Sequence, residues 1–431
     1  MVLHIDLVLP LGHPVEKENH LERFFKNPHT LSCKREGTLG RYIDEFAQQL
    51  SEQGYSRQYG RRQLQLAAKL SRWLGKKNLA VADLKVADLE NYLKYRSRLV
   101  RIRRGDAANL KAFYELLCQK GLVVGRVDPV PKTPIEELQS EFSLYLGEER
   151  ALAPTTVIGY LPFSRELLTH RFGTGRVDLS KLRAADVVDF VQHRAPSLIR
   201  KQAKKMTMVL RSFLQFARYH NYIRTDLAAC VPCVADWSAT SIPKGLPFKD
   251  VKSVLASCNR QRAVGRRDHA ILLLLARLGL RAGEVVSLTL EDIDWEHGYL
   301  TVRGKGNRSE QLPLPVDVGK ALAAYLRAGR PKSTRRHVFL RGYAPAVGFK
   351  GPAAVSTVVH HALARAGINC PRKGAHQFRH ALATEMLRKG ASLPEIGELL
   401  RHRHMQTTTI YAKVDLTSLR KLALPWSGGA R

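Results

Sequence analysis

The chain has 431 residues, 44% of them hydrophobic, enough for two or three domains that each bury an ordinary core. Its 70 Lys and Arg against 38 Asp and Glu leave a formal charge of +32, which points to a polyanionic partner, nucleic acid fitting best. There is no run of 18 apolar residues to span a bilayer, no basic and aromatic amphipathic stretch for a membrane surface, and MVLHIDLVLPLGHPVEKENH lacks the basic start of a secretion signal.

Two proline-marked linkers, VGRVDPVPKTP (124–134) and VADWSATSIPKGLP (234–247), divide the chain into blocks 1–125, 134–233 and 247–425. The first two blocks echo each other at an offset of about 100 residues. IDEFAQQL (43–50) matches QSEFSLYL (139–146), so Phe46 pairs with Phe142. LKVADLENYL (84–93) matches LRAADVVDFV (182–191), Asp88 with Asp186 and Tyr92 with Phe190, and Phe113 matches Phe213. Each copy reads as four or five amphipathic helices. Each also carries an acid-free basic run, KYRSRLVRIRR (94–104) and RKQAKK (200–205), suited to phosphate contact.

Six cysteines (33, 118, 230, 233, 258, 370) lie scattered, as suits reduced thiols in a cytoplasm. Cys230 and Cys233 have half the spacing of a zinc site, and no second half completes it, so no metal is expected.

The third block is mixed. DHAILLLLARLG (268–279) reads as a buried helix, AGEVVSLTLEDI (282–293) as another with Asp292 near its end, and GYLTVRGKGNRSEQLPLP (298–315) as a β-hairpin with a GKGN tip. Three further helices follow from about 352, their ends marked by glycines at 367 and 390. The fold expected is therefore mainly α, with a small β-hairpin or sheet in the C-terminal block.

This block carries polar residues awkward for packing: Arg281 at a turn, Lys305 at the hairpin tip, His376 and Arg379 three apart on one helix face, His402, and Tyr411 nine residues later. Together they suit a phosphodiester. Guanidinium forks match its non-bridging oxygens. A tyrosine hydroxyl can attack when cations favour its phenolate, a histidine can move its proton, and a lysine can protonate the leaving oxygen.

Four motifs in order make the block resemble the catalytic domain of the tyrosine recombinases, the phage-integrase family. LGLRAGEVVSL (278–288) resembles the first-arginine box, with Glu284 as its supporting acid. VRGKGNRSEQLPL (302–314) resembles the lysine hairpin, HQFRHALAT (376–384) the H-x-x-R box, and ELLRHRHMQTTTIYAKV (398–414) the tyrosine box. The resemblance implies helical SAM-like DNA-binding domains ahead of the catalytic domain, residues 134–233 being the core-binding one. It implies catalytic residues Arg281, Lys305, His376, Arg379, His402 and Tyr411, a 3′-phosphotyrosyl intermediate, and no cofactor or metal. It further implies double-stranded DNA as partner and a homotetramer on paired sites, or an assembly with related and transposon-encoded recombinases, in the cytoplasm at the nucleoid. The tail after Tyr411, with Leu419, Leu422 and Leu424, is expected to dock on a neighbouring subunit.

One departure stands out: the family has Leu-Gly-His where this chain has Leu400-Arg401-His402, which leaves the local backbone in question and makes His404 a competitor for His402. Three alternatives share the sequence features: a type IB topoisomerase, a catalytically inactive DNA-binding protein, and a zinc protein built on Cys230 and Cys233.

Overall fold

Among the described residues of the first block, apolar residues spaced three and four apart close into six helices: α1 (His20–Phe24), α2 (Pro28–Lys34), α3 (Ile43–Glu52), α4 (Arg57–Lys76), α5 (Val86–Ser97) and α6 (Asp106–Gln119). Local chemistry starts them: the Asn27 side chain accepts from the backbone N–H groups of His29 and Thr30 ahead of α2, and Ser56 caps α4. The second block holds α7 (Pro134–Leu144), α8 (Pro154–Phe172), α9 (Ala184–Arg194) and α10 (Arg200–Tyr219). A reciprocal Thr133–Glu136 capping box and Pro134 in the first turn begin α7. This computed structural model describes residues 20–103, 105–123, 133–173, 175–234, 245–304, 309–370, 373–402, 404 and 407–414.

The matched positions of the two blocks have matching roles. Phe46 meets Phe113 with ring centroids 4.7 Å apart, and Phe142 meets Phe213 at 5.2 Å. Asp88 accepts the backbone N–H of Lys85 (2.9 Å) and Asp186 that of Arg183 (2.8 Å), each opening a helix. Tyr92 and Phe190 are both buried.

The third block contains α11 (Phe248–Ala256), α12 (Ala263–Arg277), α13 (Ala282–Ser287), β1 (Ile293–Asp294), β2 (Tyr299–Arg303), β3 (Ser309–Pro313), α14 (Val316–Ala328), α15 (Ala353–Arg365), α16 (His376–Arg388) and α17 (Leu393–Leu399). A 3₁₀ segment, Thr409–Val414, carries Tyr411. The sheet is antiparallel in the order β1-β2-β3, with Ile293 opposite Leu300 and Arg303 opposite Ser309. The chain is thus mainly helical with one small sheet. One expectation is corrected. The helix from Ala282 stops at Ser287, and the segment expected to continue it forms a 3₁₀ turn and then β1. The cause is Asp292, whose carboxylate takes both the backbone N–H and the hydroxyl of Thr289 and so starts a new turn.

Each block has its own apolar core. In the third, α12 runs through the centre, Ile271 to Leu275 all buried, with α11, α14, α15 and α16 around it. Met1–Gly125 with Ser241–Arg431 make one compact unit, and Arg126–Thr240 make the other. Among the described residues no helix is long and apolar enough to cross a membrane, and no group of three His, Cys, Asp or Glu is placed to hold a metal ion. Cys233 is exposed and its thiol lies 3.4 Å from Arg211 Nη2.

Gly60 in α4 shows how tightly the first block is packed. A Cβ there would lie 2.1 Å from the fully buried Phe24 ring. Helix propensity favours Ala over Gly by about 1 kcal/mol, but overpacking costs about 1–3 kcal/mol. Gly60→Ala should therefore lower the thermal unfolding midpoint followed by circular dichroism, against its helix propensity.

Candidate active site

Arg281 is placed by the exit from α12. Gly279 takes the left-handed conformation (φ +57), where a Cβ would come within 2.8 Å of the Leu400 side chain, and two residues later Arg281 caps α13. Glu284, one turn on, accepts the Arg281 backbone N–H (2.8 Å) and its Nη1 (2.6 Å). The Glu284 side chain is 4% exposed. Burial pushes its pKa up, but the Arg281 backbone N–H and the guanidiniums of Arg401 and Arg281 outweigh that and hold it below the usual carboxylate value.

Arg379 reaches the same place from α16 and is buried. Its Nη1 donates to the Gly279 carbonyl (2.6 Å) and its Nη2 to the Leu400 carbonyl. Arg281 Nη2 donates to the next carbonyl along, that of Arg401 (3.0 Å). Two guanidiniums are thus held by two successive carbonyls. Burial, with Arg281 and Arg401 nearby, lowers Arg379 to about 10, so it remains charged at neutral pH.

The turn that presents those carbonyls is a helix terminus. After α17 the His402 N–H bonds back to the Gly397 carbonyl (3.0 Å) and the Arg401 N–H to the Glu398 carbonyl (2.8 Å). This 6→1 and 5→2 pair is a Schellman motif, whose left-handed residue is usually glycine. Here that residue is Arg401, at φ +54. The backbone turn that suits glycine is kept although the side chain is an arginine. Its conformation costs about 1–2 kcal/mol. Opposing that cost, the Arg401 side chain is 5% exposed and donates from Nη2 to Glu284 Oε2 (2.8 Å). Its Nε lies 3.9 Å from Glu310 Oε2 on β3.

His402 follows directly. Its Nδ1 is in hydrogen-bond contact with the Thr408 hydroxyl (2.7 Å), and Thr408 is fully buried. Burial first, then Arg379 and Arg281, hold the imidazole down at about 4, so it is neutral at pH 7. Tyr411 packs against Ala383, Ile396 and Leu400 and is 1% exposed. Its hydroxyl lies 2.9 Å from His380 Nδ1. Burial pushes its pKa up to about 12, with Arg379 opposing, so the hydroxyl keeps its proton in this arrangement.

Arg281, Arg379, His402 and Tyr411 are therefore brought together. His376 opens α16 and is exposed, as is His404, and Lys305 and the tail after 414 lie outside the described residues. Two participants were missed in the sequence. Thr408 carried no signal. His380 did carry one, since it stands four residues after His376 and so on the same helix face. Three guanidiniums against two carboxylates, those of Glu284 and the more exposed Glu310, leave a positive excess beside a tyrosine hydroxyl, a setting that can receive a phosphate.

Residues 244–417 match the model of the phage integrase family. The chain is 46% identical over 413 residues to a protein named integrase/recombinase y4rA from Sinorhizobium fredii (strain NBRC 101917 / NGR234), covering 95% of this chain and 100% of that one. It is 28% identical over 296 residues to tyrosine recombinase XerD of Listeria monocytogenes serotype 4b (strain F2365), covering 66% and 97%. Among solved structures, a XerH site-specific recombinase bound to palindromic difH in a post-cleavage complex has a similar fold (TM-score 0.53, 19% identity, 67% of this chain and 84% of that one). So does a lambda integrase dimer bound to a COC′ core site (TM-score 0.51, 14% identity, 64% and 94%).

Two substitutions separate the backbone from the side chain at 401. Arg401→Ala keeps the left-handed cost and loses the ion pair, whereas Arg401→Gly loses the ion pair and relieves the cost. Thermal midpoints should fall in the order wild type, Arg401→Gly, Arg401→Ala, the two variants differing by about 1 kcal/mol. Equal midpoints for the two variants would mean that the turn is not left-handed in solution.

Proposed function

This chain belongs to the phage integrase family of tyrosine recombinases, and from that premise we propose that it cuts and rejoins duplex DNA at specific sites through a 3′-phosphotyrosyl link. The observation that carries the reading is the meeting of Arg281 and Arg379 on consecutive carbonyls beside the segment bearing Tyr411.

In the proposed reaction the scissile phosphate enters between the two guanidiniums, which bind its non-bridging oxygens and stabilise the charge that grows there as the phosphorus becomes five-coordinate. His402, neutral and contacted at Nδ1 by Thr408, presents its other ring nitrogen to an oxygen of the same phosphate. His376, at the exposed start of α16, supports oxygen contact and proton movement. Tyr411 Oη bonds to phosphorus as the bond to the 5′ oxygen breaks. Its proton passes first to His380 Nδ1, already within hydrogen-bond distance. Lys305 gives the departing 5′ oxygen its proton. A 5′-hydroxyl, from the same strand or a partner, then attacks the phosphotyrosine and reverses these steps, the energy of the broken bond having been kept in the link.

The hydroxyl must leave its buried position for this to happen, so DNA binding and movement of the 409–414 segment are coupled. Residues 134–233 act as the core-binding domain, and 1–125 as a duplicate of it, supported by the matching Phe46–Phe113 and Phe142–Phe213 contacts. Exchange between two sites requires a tetramer of this chain or an assembly with related recombinases, on DNA in the cytoplasm.

Tyr411→Phe should bind duplex DNA as the wild type does and give no detergent-resistant protein–DNA adduct on nicked duplexes. An adduct from that variant would remove Tyr411 from the role of nucleophile. Relaxation of plasmids without joining between two duplexes would favour a topoisomerase instead.

Lys305→Ala should cleave slowly and regain rate on a duplex whose 5′ leaving atom is sulfur, because a thiolate leaves without a proton. Failure of that rescue would assign the proton to another group, His376 foremost.

A further inference from the structure

The first block carries a charged surface that this chemistry does not use. Helix α4, RQYGRRQLQLAAKLSRWLGK, has six cations and no acid. Its apolar positions Leu64, Ala67, Ala68, Leu70 and Leu74 face the core. The helical period therefore turns Arg61, Arg62, Gln65, Lys69, Arg72 and Lys76 outward as one stripe, all of them exposed. At 1.5 Å per residue that stripe runs roughly 20–25 Å.

Three concavities lie along it. One of about 360 Å³ is lined by Arg57, Arg61 and Arg62, one of about 250 Å³ by Tyr59, Arg62, Lys69 and Arg103, and one of about 270 Å³ by Lys69, Arg72, Trp73 and Tyr95. Arg62 and Gln65 belong to the first two and Lys69 and Arg96 to the last two, so the three adjoin along the stripe as one grooved surface. Among the described residues the single carboxylate lining it, Asp106, is engaged by Arg96 at 3.6 Å and by the Arg103 backbone N–H at 3.3 Å. Among the described residues only Arg72 of the α4 cations has an acidic partner, Glu36 at 3.9 Å. Tyr59 and Tyr95 stand at the rim, 44% and 47% exposed.

The second block does not repeat this. Its helix in the same place in the element order, α8, has Arg171 paired with Asp186 (3.0 Å) and Arg165 bonded to Gln139 (3.0 Å). Its cations gather instead at the start of α10, at Arg200, Lys201, Lys204 and Lys205. A remnant of a shared ancestral surface would fall on equivalent helices, and these surfaces do not.

We propose that the α4 groove binds the phosphate backbone of duplex DNA, as a contact separate from the DNA segment held by the third block. The proposal rests on the reading of the chain as a DNA recombinase. Exposed cations spread along the stripe can meet several phosphates, and the Tyr59 and Tyr95 hydroxyls at the rim can bond to the same backbone. Tyr95, Arg96, Leu99, Val100 and Arg103 then form one wall of the groove, with Arg96 serving as an internal partner of Asp106 and α4 supplying most of the charge.

The test uses the full chain with four exposed cations neutralised together, Arg61→Gln, Arg62→Gln, Lys69→Gln and Arg72→Gln. Binding to a random-sequence duplex of about 60 base pairs is followed by fluorescence anisotropy across a salt series. Each lost phosphate contact lowers the slope of log affinity against log salt by about 0.9, so the slope should shrink by about two to four units. The thermal midpoint and Tyr411-dependent adduct formation should be retained. An unchanged slope overturns the proposal, as does a loss seen only with single-stranded DNA or with RNA. The recombinase reading fails separately: it fails if the wild type forms no adduct, whatever the slope.

Discussion

Two consecutive carbonyls, those of Leu400 and Arg401, hold the site together. They face Arg379 and Arg281, which come from α16 and from the cap of α13, elements far apart in the chain. Like charges this close repel, and the lowering of Arg379 to about 10 records that repulsion on top of burial. Fixed backbone dipoles and the ionised Glu284 offset it. The carbonyls point correctly only because the residue after Leu400 turns left-handed, and that turn exists because α17 ends in a Schellman motif. A common way of ending a helix thereby sets the spacing of two guanidiniums.

Packing makes the turn reproducible. Leu400 is fully buried beside Ile396, Ala383 and Tyr411, and its side chain fills the space that the missing Cβ of Gly279 leaves open. Behind this small cluster α12 and α16 pack together in the main core of the third block. Arg401 then adds a link from the turn to Glu284, and through Nε its charge lies near Glu310 on the strand that follows the lysine hairpin. Substituting an arginine for a glycine there costs backbone strain and gains an almost completely desolvated ion pair. A residue held in a sparsely populated conformation persists only where its surroundings favour it.

The sequence made the helical class and the hairpin readable, because periods of 3.6 and of 2 survive in the pattern of apolar residues. It misread 288–294, where apolar spacing still looks helical while the Asp292 side chain takes over the Thr289 N–H. Local competition of that kind leaves no periodic trace. Spacing and residue type also led to Arg281, Arg379, His402 and Tyr411, since each sits in a short motif. They did not lead to Thr408 or to the pairing of His380 with Tyr411. That pairing arises when α16 approaches a segment about thirty residues further on, a tertiary event with no local signature. Arg401 looked like a disturbance of the turn because the fate of its side chain depends on Glu284, which lies more than a hundred residues earlier.

The burial of Tyr411 bears on timing as well as place. On the proposed mechanism Tyr411, 1% exposed and protonated, stands in the inactive member of a two-state equilibrium. Only a ligand that binds the open member more tightly can shift that balance, and by no more than the difference in its two affinities. DNA that merely adheres through its charge contacts both members alike and leaves the populations as they were. On that mechanism, for a chain with 32 excess positive charges, sealing the tyrosine would separate the strength of adhesion to DNA from the probability of a cut.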